Sequence, residues 1–412
     1  MSLALCLFAT VQAAAPPPVD EAKVDQAIKN GVAFLRGQIP KLKKVEREGA
    51  DGAPRGALTQ HELVLLTLVH AGVPENDPDF KALFKDMLER SLEATYCVAL
   101  QAMILEEIDR VKWQWRIRQC AQFLVDNQAK NGQWSYGSPT IYTDDIPSEA
   151  PKKDVASGKP KNVLDFGAPV EREKPKVKNR VKVEKKKDGP GGGDNSNTQY
   201  AALGSRACHD AGIILPAEVV ERALAWWRGA QKEEGGDPQK VGGARGPDVA
   251  SGGEAISAEP RGWCYGKHAD HKAYGSMTAG ATGGLAIWIY IKDNDEGKAK
   301  SWKKDKDVHE GLAWLGKNFS VTYNPGFHEH GGEENSQKAY YYYLYGLERA
   351  GMLYGTDWMG AHAWYPEGAK VLVESQKAGG GWGSTVDTCF AVLFLKRATR
   401  PLVATEPAGS RK

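Results

Sequence analysis

The chain has 412 residues, a formal net charge of +2, 41% hydrophobic residues and 12 tryptophans. That is ample material for a core, and the near-neutral balance excludes a general attraction to polyanions. Outside the N-terminal leader no apolar run approaches the ~20 residues needed to span a bilayer, so any membrane association of the mature chain is expected to be peripheral.

In chain order, Leu3 to Val11 is a short apolar run followed by Ala13, Ala14 and Ala15 and then three prolines. This reads as a secretory signal over residues 1–15, cut near Ala13, although the usual basic n-region is missing. The expected location is therefore periplasmic or extracytoplasmic, and cytoplasmic if the segment is not a signal. Residues 16–23 read as a Pro-rich linker. With Cys6 removed, cysteines 97, 120, 208, 264 and 389 remain, an odd set without a CxxC pair. It points to neither a disulfide framework nor a zinc ribbon.

The mature chain repeats a helical hairpin. The first copy pairs an outer helix from Val24 to Gln38 with an inner one from Thr59 to Ala71. The second pairs Phe80 to Arg90 with Thr95 to Ile108. Trp113 to Gln128 and, after a long insertion, Asn197 to Ala211 form the third, and Ala217 to Gln231 with Thr278 to Ile291 the fourth. Val308 to Phe319 with Gln337 to Ala350 make the fifth, and Glu367 to Gln376 with a helix inside Gly379 to Ala398 the sixth. Outer helices carry one polar face, whereas the inner ones are apolar or aromatic nearly all round, as in Val98 to Leu105 and Tyr340 to Leu347. A helix apolar on every side must be buried on every side. Six hairpins achieve that by closing into an all-α (α/α)6 toroid over residues 24–400, followed by a flexible tail, 401–412. An open solenoid is the alternative, but it would want polar caps that the first and last copies lack.

The large insertions, including Ile39 to Ala57, Ser138 to Asp194, Lys232 to Arg261 and Ser320 to Ser336, all join an outer helix to its inner partner. A closed ring gathers them on the face where every inner helix begins, which marks that face as the working one. Residues 138–194 have few large apolar residues and are expected to be mostly disordered. Lys174 to Lys187 within them reads as a solvated tether or as a patch for an anionic surface.

The segments Phe123-Leu124-Val125, Gln128, Gly132-Gln133-Trp134 and Val371-Leu372-Val373, Gln376, Gly381-Trp382, with Gln231 and Gly262-Trp263, are similar to the QW repeat of terpene cyclases. Over nearly its whole mature length the chain resembles the squalene cyclase and protein prenyltransferase β-subunit superfamily. The resemblance implies the toroid, an isoprenoid or other apolar small molecule as ligand, and prenyl or terpenoid chemistry if the chain is an enzyme. In prenyltransferases an Asp-x-Cys pair at an inner-helix start and a His from the next inner helix bind catalytic zinc. Asp387, Cys389 and His61 occupy the matching places, although Ser384, Thr385 and Asp387 also spell an ordinary N-cap and Cys is a common core residue. The acid motif of squalene-hopene cyclases is not kept: Tyr142-Thr143-Asp144-Asp145 lacks its first Asp and lies in an insertion.

Tyr200, Trp288, Tyr340, Tyr341 and Phe390 are the expected lining of a central cavity, with a packed aromatic core as the competing reading. His328 and His330 are loop-face candidates for a metal or for acid–base work. Two further functions stay open: a non-catalytic binding or scaffold toroid of the cell envelope, and a carbohydrate-active toroid on fold analogy alone.

Overall fold

The computed structural model describes residues 17–46, 58–140, 174–233, 235–241, 256–266, 272–298, 301–327, 337 and 339–402. Among them are twelve α-helices, from 10 to 22 residues long, alternating outer and inner. The outer ones are α1 (Glu21–Gln38), α3 (Pro78–Glu89), α5 (Gln114–Asp126), α7 (Ala217–Ala230), α9 (Lys306–Lys317) and α11 (Trp364–Ser375). The inner ones are α2 (His61–His70), α4 (Thr95–Asp109), α6 (Asn195–Asp210), α8 (Gly275–Glu296), α10 (Tyr340–Tyr354) and α12 (Thr385–Leu395).

Sequence periodicity explains the division. In α1 the buried residues are Val24, Ala27, Ile28, Gly31, Val32 and Leu35, a stripe at helical spacing, and Asp20 caps the first turn by accepting from the Lys23 amide. In α12 every residue from Thr388 to Leu395 is buried. Inner helices pack in cyclic order, α2 on α4, α4 on α6, α6 on α8, α8 on α10, α10 on α12, and α12 back on α2. The fold is thus a closed (α/α)6 toroid.

One staple, used three times, joins neighbouring hairpins. Gln128 Nε2 donates to the Val219 carbonyl at the start of the next outer helix (2.8 Å), Gln231 Nε2 to the Asp307 carbonyl (3.1 Å), and Gln376 Nε2 to the Ala27 carbonyl (2.8 Å). The indoles of Trp134, Trp263 and Trp382 each donate to a carbonyl of the preceding outer helix, those of Leu124, Trp227 and Leu372. These are carbonyls near a helix end that would otherwise be left without a partner. The third staple bridges α11 to α1, so the ring closes with the device that joins its internal repeats. Gly132 (φ 91°) and Gly380 (φ 85°) occupy equivalent places: a Cβ on either would lie 2.1 Å from the Arg222 carbonyl oxygen or 2.5 Å from that of Asn30.

Helix α10 begins at Tyr340, three residues later than the periodicity suggests. Ala339 sits in the left-handed region (φ 55°), and that reversal ends the helix.

The described part of the long insertion departs from the expectation of disorder. Val181–Lys182 (β3) pairs in parallel with Ile213–Ile214 (β4). Lys185 Nζ donates to the carbonyls of Val125 (2.8 Å) and Gln128 (3.0 Å) at the end of α5, and the Glu184 carbonyl accepts from Gln122 Nε2 (2.7 Å). Lys174 pairs with the buried carboxylates of Glu106 and Glu107 on α4. Composition misleads here because the partners of these lysines are helix-end carbonyls and buried acids distant in sequence. Lys176, Lys178, Lys182 and Lys187 face solvent. Residues 141–173 and the tail from 403 lie outside the described residues.

Candidate functional site: a cavity at the inner-helix N-termini

The ring is hollow at one end. A cavity of about 930 Å³ opens there, walled by the N-terminal turns of all six inner helices and roofed by loops that join an outer helix to its inner partner. Three inner helices contribute the same two positions, the second and sixth residues: Tyr96 and Leu100 on α4, Ser196 and Tyr200 on α6, Val386 and Phe390 on α12. Residues four apart share a helix face, so each pair turns one short stripe toward the axis. Leu63, Met277 and Tyr342 come from the remaining three.

The walls are mostly apolar, with a polar seam that crosses from α4 through α6 to α10. The Tyr96 hydroxyl contacts Ser196 Oγ, and Ser196 Oγ lies 3.0 Å from the Tyr342 hydroxyl. Burial pushes the phenols of Tyr96 and Tyr342 well above the ordinary tyrosine range, so both stay protonated and neutral. The Tyr200 and Tyr342 rings are parallel within 3° at 6.3 Å, and Tyr96 packs on Tyr200 at 4.6 Å.

Beneath this aromatic floor lies Arg349, 2% exposed. Its guanidinium carbon is 4.2 Å from the Tyr345 ring centroid and 5.5 Å from that of Tyr200. Nη2 donates to Gln199 Oε1 (2.9 Å), while Nη1 has no hydrogen-bond partner among the described residues. The adjacent Glu348 faces away, accepting from the amide and hydroxyl of Thr399 (2.8 and 2.7 Å), and burial raises its carboxyl to about 7.

The rim is partly apolar. Val45, in a two-residue strand (Lys44–Val45, β1) paired with Leu58–Thr59 (β2), is exposed, as are Tyr136 and Tyr265, and Lys41 and Lys43 stand beside them. Asp194 caps α6 by accepting from the Asn197 amide (2.7 Å), with its carboxyl raised by burial.

Of the expected lining, Tyr200 and Phe390 are in the walls. Trp288 is not: it is fully buried and stacks on Trp134 at 5.6 Å. Tyr340 turns aside to donate to the Val321 carbonyl (2.6 Å), and Tyr341 is half-buried outside the lining. Of four consecutive tyrosines at ~100° per residue only Tyr342 meets the axis. The repeated second-and-sixth stripe was the signal that would have found Tyr96 and Ser196, whereas Tyr342 is the third residue of α10 and does not follow it.

The zinc set is not assembled. Asp387 completes a capping box, its Oδ2 accepting from the Ser384 amide (3.0 Å) and hydroxyl (2.7 Å). Cys389 is fully buried beside Thr67, and burial lifts its thiol to about 12. His61 opens α2, its imidazole lowered by burial. Among the described residues no group of three His, Cys, Asp or Glu stands close enough to hold a metal. His328 and His330 lie outside the described residues. None of the described helices is long and apolar enough to cross a membrane.

No family model matches the chain, and no curated protein resembles it at a significant level. Among solved structures it is similar to two of the type II terpene cyclase MstE from Scytonema. One is a ligand-free variant, 11% identical with a TM-score of 0.44, covering 92% of this chain and 97% of that one. The other is a variant in complex with geranylgeranyl dihydroxybenzoate as substrate, 11% identical with a TM-score of 0.45, covering 92% and 98%.

Proposed function

We propose that this chain binds an isoprenoid-type apolar chain in the central cavity. The observation that carries the reading is the cavity itself: about 930 Å³, with Leu58, Leu63, Leu100, Met277, Val386 and Phe390 in its walls. That volume lies near the top of the roughly 300–1,000 Å³ range of small-molecule sites, and removal of apolar surface from water drives the association. A hollow centre speaks against a ring that serves only as a packed scaffold. The described walls hold no carboxylate and no histidine, so binding or sequestration fits them better than acid-initiated chemistry.

Titration calorimetry with geranylgeraniol tests the reading. Leu100→Trp fills the space between the second and sixth positions of α4 and is expected to weaken binding at least tenfold with little change in melting temperature. Equal affinity for the variant and the parent would place the ligand elsewhere.

Export belongs to the same proposal and rests on the sequence, since Leu3 to Val11 lie outside the described residues. Intact-mass measurement of the protein produced in a bacterial host is expected to show loss of the residues up to Ala13. A full-length mass in the periplasm or cytoplasm would remove the signal from the account.

A further inference from the structure

Tyr96, Ser196 and Tyr342 form one chain of hydroxyls across the cavity, from α4 through α6 to α10, and it is counted most simply by its hydrogens. Tyr96, Ser196 and Tyr342 each carry one hydroxyl hydrogen, three in all, whereas the chain they form has two oxygen–oxygen contacts. One O–H is therefore left over, and among the described residues no acceptor beyond these three hydroxyls meets it. The phenols cannot discard that hydrogen, because burial keeps both protonated. The seam is an obligate donor.

Electrostatics selects among acceptors. Arg349 is always charged, fully buried, and lies behind Tyr200 and Tyr345, with Tyr342 also within its field. Its neighbour Glu348 points to Thr399, and with its carboxyl raised to about 7 it is only partly ionised at neutral pH. The floor beneath the donor seam thus carries the Arg349 charge, which Glu348 only partly offsets, while the Asp194 carboxyl, raised by burial, acts on Tyr96 and Tyr342 from the start of α6. Burying a cation this way is costly unless a partner is supplied.

We infer that the cavity takes an amphiphile head inward, an apolar isoprenoid chain ending in a carboxylate that accepts from the Tyr96–Ser196–Tyr342 hydroxyls above Arg349. The inference rests on the chain-binding reading and deepens it by assigning ligand class and orientation. A head-inward anion also leaves the chain against Leu63, Leu100 and Phe390 and its distal end at the apolar rim of Val45, Tyr136 and Tyr265. Conversely, a positive floor disfavours a carbocation held against Tyr200, whose ring already faces the guanidinium.

The test compares farnesoic acid with farnesene, the same chain without a head, by calorimetry on the full protein. Farnesoic acid is expected to bind at least tenfold more tightly, and Tyr342→Phe to remove about tenfold of its affinity while leaving farnesene unchanged, which also reports that the variant is folded. Lys41→Ala/Lys43→Ala is expected to have little effect on either. If farnesene fails to bind the parent protein, the chain-binding reading itself falls. If both ligands bind alike and Tyr342→Phe changes neither, or if the lysine pair and not Tyr342 controls farnesoic acid, the head-inward assignment is overturned while the chain site stands.

Discussion

Trp382→Ala is expected to destabilise the protein by about 3–5 kcal/mol, the range for removing a large aromatic from a core. The indole is 1% exposed, and its Nε1–H donates to the Leu372 carbonyl at 2.7 Å. Its six-membered ring rests on Gly31 of α1, where an added Cβ would lie 3.0 Å from it. Truncation therefore opens a void, leaves a helix carbonyl without its donor, and loosens the contact between the last hairpin and the first. Trp134 and Trp263 do the same work inside the ring, but Trp382 joins elements more than three hundred residues apart. Loss of its packing should release α1 before the rest unfolds. Urea denaturation gives the magnitude, and hydrogen exchange should show faster exchange in Glu21–Gln38 than in α4 or α6. A cost below about 1 kcal/mol, with α1 still protected, would mean that the ring is not held shut at this seam.

Glu107→Gln is expected to cost about 3 kcal/mol near neutral pH and to flatten the acid limb of the stability curve. Glu107 lies on the inner helix α4 and is 6% exposed. Arg400 engages it with two nitrogens, Nη2 to Oε1 at 2.7 Å and Nε to Oε2 at 3.1 Å, and Lys174 reaches Oε2 at 2.9 Å. Burial works to raise its carboxyl, but the charges of Lys174, His70 and Arg400 outweigh burial and hold it well below the ordinary carboxylate range. A carboxyl depressed in the folded state contributes stability that is complete above the unfolded value, roughly 4.3, and is lost as pH falls through the folded one. Melting temperatures from pH 7 to 3 should show the parent falling toward the variant below about pH 4. A constant gap across that range would locate the acid sensitivity elsewhere. The same substitution should loosen both the chain after α12 and the segment around Lys174, since Glu107 contacts both, while Glu348 still holds Thr399 and Glu106 still holds Lys174.

Much of this was legible in the chain before folding, for identifiable reasons. Apolar spacing in α1 and the all-round apolarity of α4 and α12 are local properties, and together they require outer and inner layers. Gln128, Gln231 and Gln376, each followed by a Gly-Trp or Gly-x-Trp step, mark the joints because the same two bonds recur at each. The capping box at Ser384 and Asp387 was also readable, as the alternative to a metal ligand, since it needs only neighbours three residues apart.

What resisted reading depended on register and on distance. Four consecutive tyrosines say nothing about which one faces the axis, and the left-handed turn at Ala339 that sets the start of α10 is not written in its residue type. The lysines of 174–187 look solvated by composition, yet the ends of α5 and the acids of α4 bind several of them. Arg349 reads as one more polar residue on an aromatic helix.

The sequence by itself determined six hairpins, their alternation and their closing staple, because periodicity and short-range hydrogen bonding are written in neighbouring residues. Only the tertiary structure decided that the centre is hollow, that Tyr96, Ser196 and Tyr342 meet there, and that Arg349 waits beneath them. Those facts depend on how six helices approach a common axis, and a cavity is defined by what the surrounding side chains fail to fill.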